Sequence, residues 1–94
     1  MKKPAIPFPT TPGEMLIEEY LKPLELTQTE LAKKIGVSYR TINEICNERR
    51  ALTPKIAMLF AEYFKTTPEY WMKMQMACDL WKEWQKHQKR EKAS

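Results

Sequence analysis

Arg40, Asn43, Glu44 and Asn47 are the residues of this chain best suited to chemistry, and that chemistry is recognition. They recur at three- and four-residue steps, so on a helix they form one outward polar stripe, with Tyr39 and Thr41 at its start. A guanidinium suits guanine O6 and N7, a carboxamide suits adenine, and a carboxylate can accept from cytosine N4. Each good bidentate contact of this kind discriminates between bases by about 1–3 kcal/mol. Gln28 and Ser38, at expected helix starts, and Arg49 and Arg50, just beyond the stripe, are better placed for phosphate oxygens. Two alternatives stand beside these roles. Glu44 can instead pair with Arg40 within the helix or hold Arg49 or Arg50. The arginine pair can be a plain solvated loop.

Bond-making chemistry has little to work with. His87 is the only histidine and lies in a polar tail, and neither a carboxylate pair nor a glycine-rich phosphate loop appears. Cys46 and Cys78 are far apart without histidines nearby, which argues against zinc, and both read as small core hydrophobes. The expectation is a binding protein with no catalytic residues, no metal and no cofactor.

The stripe needs a helix that presents it, and Gln28 to Asn47 supplies one. Thr27 followed by Glu30 is a capping box, so a first helix begins at Gln28. Leu31 and Ile35 give it an apolar stripe, and Ala32 lets a second helix approach closely. Gly36 ends it, because the left-handed conformation past a last turn is easiest without a side chain. Val37 plugs the corner, Ser38 caps the second helix, and Ile42 and Ile45 point back at the first. These features together describe a helix-turn-helix whose second helix can lay its leading end in a major groove. An ordinary helical hairpin shares the periodicity but not the joint pattern of caps, small residue, glycine and plug.

Punctuation elsewhere predicts three more helices and no strands. Residues 1–10, with Pro4, Pro7 and Pro9, are expected to form a flexible, extended arm. Thr11 caps a helix with Pro12 in its first turn and Glu14 three residues after the cap, running through Met15, Leu16, Glu19 and Tyr20 until Pro23. Thr53–Pro54 opens a fourth helix with an apolar face of Ile56, Leu59, Phe60 and Tyr63, and Thr67–Pro68 opens a fifth. Along that fifth helix Tyr70, Met74, Ala77, Trp81 and Trp84 recur in heptad-like steps, the expected dimerisation seam. The alternative is that these side chains cap the core of one protomer. Residues 11–85 then form the domain and 86–94 a basic, solvated tail.

With 94 residues, the chain suits one domain burying roughly 60–70% of its unfolded surface. Sixteen Lys and Arg against twelve Asp and Glu leave a net charge of +4, which suits an anionic partner. Two cysteines and a proline-broken N-terminus point to a reducing, cytoplasmic setting, and no apolar run approaches the roughly 20 residues that span a bilayer.

The segments TPGEMLIEEYLKPL, TQTELAKKIGVSYRTINEICN, ALTPKIAMLFAEYF and TPEYWMKMQMACDL, in that order, resemble the HigA antitoxins and their VapI-like relatives within the Cro/C1-type helix-turn-helix family. The likeness covers about Thr11 to Leu80, and the Pro-Gly-Glu and Pro-Glu-Tyr-Trp segments set this subgroup apart from generic repressor domains. It implies an all-α, five-helix, lambda-repressor-like domain with an extended C-terminal helix. It further implies a homodimer that binds palindromic double-stranded operator DNA, represses its own operon and neutralises a HigB-like, RelE-family mRNA-cleaving toxin. A stand-alone Cro/C1-type regulator without a toxin is the alternative. The chain departs from the family where Asn47-Glu48-Arg49-Arg50 replaces a frequent glycine, with Asn47 expected to take the left-handed cap. Lys65 and Thr11 similarly replace a usual glycine and a frequent histidine.

Overall fold

The computed structural model describes residues 1–7 and 9–93, with side chains described through Arg90. Among the described residues there are five helices and no strands. They are α1 (Pro12–Met15, continued as a π-helix over Leu16–Leu21), α2 (Gln28–Ile35), α3 (Tyr39–Cys46), α4 (Pro54–Phe64) and α5 (Pro68–Ala93).

The starts are set by local hydrogen bonds that the spacing of residues predicts. Thr11 Oγ1 accepts from the Glu14 amide at 3.0 Å, and Thr53 Oγ1 and Thr67 Oγ1 do the same for Ile56 and Tyr70. At Thr27 the capping box is complete, with Thr27 Oγ1 accepting from the Glu30 amide and the Thr27 amide donating to the Glu30 carboxylate, both at 3.0 Å. Gly36 ends α2 at φ 75°.

Two helix ends differ from expectation. Asn47 has φ −94°, and the left-handed residue after α3 is Glu48 at φ 59°. The reason is a Schellman closure one residue later: Glu48 N donates to Ile45 O at 3.1 Å and Arg49 N to Glu44 O at 2.8 Å. The first helix also does not stay α-helical to Pro23. Lys22 N donates to Ile17 O at 3.0 Å, a five-residue reach. That wider turn lets Leu16 and Leu21, out of phase on an α-helix, both be buried.

The core lies where α1 and α4 meet α2, α3 and α5. Leu16, Leu31, Ile42, Phe60 and Trp71 are fully buried in it. Trp71 stacks against Phe60, Tyr20 and Phe64 at centroid distances of 5.0, 5.3 and 6.2 Å, and its Nε1 donates to Thr66 Oγ1 at 2.8 Å. Gly13 sits where α1 crosses the end of α3. A Cβ there would run into the carbonyl oxygens of Ile45 and Cys46, so only glycine allows this approach.

Among its described residues the N-terminal arm has no regular structure and lies back along α5. Trp81 Nε1 donates to the Ile6 carbonyl at 2.9 Å, and Lys3 Nζ stands 5.6 Å from the Trp81 ring centroid. Helix α5 carries on through most of the basic tail; Ser94 and the side chains of residues 91–93 lie outside the described residues. Among the described residues, no helix is long and apolar enough to cross a membrane, and no group of three His, Cys, Asp or Glu is placed to hold a metal.

Candidate nucleic-acid interface

Helices α2 and α3 meet at the turn Gly36-Val37-Ser38, and the inner face of α3 is anchored by Ile42, Ile45 and Cys46, exposed by 0, 2 and 7%. With that face sealed, the stripe on the opposite side is left at the surface. Tyr39, Arg40 and Asn47 are exposed, and Thr41, Asn43 and Glu44 are half-buried.

These side chains are tied to one another. Asn43 Nδ2 donates to Gln28 Oε1 at 3.1 Å and to the Tyr39 hydroxyl at 3.3 Å, while Asn43 Oδ1 accepts from Asn47 Nδ2 at 3.2 Å. Gln28 is thus brought to the stripe from the first turn of α2, and the amide of Asn43 is held in one orientation before any partner arrives. Ser38 Oγ accepts from the Thr41 amide at 3.1 Å and lies 2.9 Å from Thr41 Oγ1, so its main work in the free protein is capping.

Glu44 pairs with two arginines. Its Oε1 accepts from Arg50 Nη2 at 2.6 Å and Arg50 Nε at 3.0 Å, and its Oε2 lies 3.6 Å from Arg40 Nε. The hydrogen-bonded Arg50 guanidinium holds the Glu44 carboxyl below the usual carboxylate range. Of the readings open for Glu44, the geometry realises the arginine-partner one. Arg49 is exposed on the same loop.

One contributor had no local signal. Gln75 on α5 is buried, accepts from the Leu52 amide through Oε1 at 2.8 Å and donates to Asp79 through Nε2 at 2.9 Å. It fastens the loop that carries Arg49 and Arg50 to the far helix. The two cysteines are buried and free, and burial pushes the Cys46 thiol up to about 11.

The five residues expected to form a seam do not make a uniformly open face. Ala77 and Trp81 are covered within the protomer, the latter with the arm against it. Tyr70 and Met74 line a groove of about 750 Å³ with Pro7, Pro9, Thr10 and Met15. Trp84 packs edge-on against Trp81 at 5.6 Å, and its buried Nε1 has no acceptor among the described residues.

The architecture finds counterparts among known proteins. A helix-turn-helix family model matches residues 17–71. The chain is 42% identical over 79 residues to YbaQ, an uncharacterized HTH-type transcriptional regulator of Escherichia coli strain K12, covering 84% of this chain and 70% of that protein. It is 38% identical over 73 residues to the antitoxin HigA-1 of Vibrio cholerae, covering 78% of this chain and 69% of the relative. The chain belongs to the helix-turn-helix family of HigA-type regulators and antitoxins. This is a family of regulators, not of enzymes. A similar fold is seen in the solved structure of antitoxin GraA in complex with its operator, at TM-score 0.83 and 33% identity, covering 100% of this chain and 94% of that one.

Proposed function

We propose that this HigA-type chain binds operator DNA as a homodimer through α3 and acts as the antitoxin of a toxin–antitoxin pair, repressing its own operon and neutralising a HigB-like mRNA-cleaving toxin. The observation that carries the DNA reading is the pre-oriented polar stripe of α3, sealed on one side by Ile42 and Ile45 and open on the other. Tyr39, Arg40, Thr41, Asn43 and Glu44 face the bases in this reading, while Gln28, Ser38, Asn47, Arg49 and Arg50 flank them at the backbone. The solved GraA complex with its operator supports it. A single helix-turn-helix makes few contacts, so two copies on half-sites about 34 Å apart are expected. Tyr70, Met74, Ala77, Trp81 and Trp84 on α5 are the proposed dimerisation residues, and among them Tyr70 is exposed on the protomer.

Titration of the protein's own upstream region against a shuffled duplex tests the reading. Arg40→Ala is expected to relax sequence preference, whereas Arg50→Ala weakens both duplexes alike and flattens the salt slope by about one. Unchanged binding by both variants contradicts the assignment.

The likeness to YbaQ, named as a transcriptional regulator, favours a second reading in which the chain represses without a toxin. Copurification from cells carrying the intact locus separates the two: a small basic partner supports the antitoxin, and its absence supports the lone regulator.

A further inference from the structure

Glu44 is an acid on the face proposed to meet a polyanion, and both its oxygens are engaged by arginines. Its side chain is only 23% exposed, against 45% for Arg50 and 83% for Arg40, so the carboxylate sits beneath the two cations. Arg50 lies beyond the Schellman turn, and the pair joins the loop to α3 at a second point besides the Arg49 N to Glu44 O bond of 2.8 Å. Arg50 uses Nε and Nη2 toward Glu44. A guanidinium carries five donors in a fixed fork, so this grip leaves the Nη1 side directed away from the acid and available to a ligand.

We infer that Glu44 is a specificity-determining positioning residue: it grips Arg50 along one edge and steadies Arg40, aiming both arginines while cancelling one positive charge on the DNA-facing surface. This rests on the DNA reading above and deepens it. The two effects act together on discrimination. Arg40, the base-facing member, spends less side-chain entropy on a matching base when Glu44 steadies it, which favours the matching duplex, whereas the grip on Arg50 acts at the phosphates of either duplex. The cancelled charge lowers attraction to phosphates of any sequence. Direct reading of cytosine by Glu44 is the competing role, and it demands a carboxylate released from both arginines.

The test is Glu44→Gln, which keeps the size and an acceptor but removes the charge. Binding to the protein's own upstream region and to a shuffled duplex is titrated over a range of salt. The variant is expected to bind the shuffled duplex several-fold more tightly, with a salt slope steeper by about one, and to lose about ten-fold in the ratio of the two affinities. In the Arg50→Ala background the same change is expected to steepen the slope less, since the cation it would release is gone. Loss of upstream-region binding with the shuffled affinity and slope unchanged makes Glu44 a base reader and overturns the inference. An unchanged ratio and slope also overturns it. The wild-type arm keeps the two levels apart: equal retention of both duplexes by the unaltered protein rejects the DNA reading itself, whatever the variants do.

Discussion

Residue 48 adopts a backbone conformation that glutamate enters at a cost. Its φ of 59° is left-handed, the conformation that the Schellman bonds from Glu48 and Arg49 to α3 require at this position. Glu48→Gly is therefore expected to stabilise the fold by roughly 1 kcal/mol, read as a higher denaturation midpoint. A lower midpoint contradicts the account. At this scale the sequence is most legible where donor and acceptor are three residues apart, as at Thr11, Thr27, Ser38, Thr53 and Thr67. It is less so at Asn47, because asparagine's tolerance for the left-handed region points to the wrong one of two adjacent residues. For Glu44 the spacing leaves several arginine partners open, and only the folded turn selects Arg50 six residues on.

Helix α1 holds α3 in place through a contact in which no side chain intervenes. Gly13 lies against the backbone of Ile45 and Cys46, so a methyl group must push the two elements apart. Gly13→Ala is expected to cost roughly 1–3 kcal/mol. It should also weaken DNA binding, since the displaced element carries the recognition stripe. Full stability and full affinity in that variant would remove the contact from the account. The order and kind of all five helices follow from caps, prolines and apolar spacing, whereas the π-helical stretch does not. Its five-residue register depends on Leu16 and Leu21 both finding the core, and nothing local distinguishes that from an α-helix.

Across the whole molecule, α5 is the element that reaches beyond the domain. The radius of gyration is 15.0 Å and the long dimension 49 Å against 23 Å for the others; a compact chain of this length is expected at about 12–13 Å. The arm folds back onto this helix through Ile6 and Lys3, and Gln75 ties the recognition loop to it. Neither contact is legible in the sequence, because each joins residues remote along the chain and periodicity carries no information about them. Removing residues 1–7 is expected to expose Trp81 and shift its emission to the red, while Trp71 stays buried at the core; an unshifted spectrum would detach the arm from α5. The central claim, that α3 reads the major groove, is tested most directly by protection of guanine N7 from methylation on the upstream region. Two protected stretches about one helical turn apart, both lost with Arg40→Ala, are predicted. Binding with no guanine protected, or protection that survives that substitution unchanged, would contradict it.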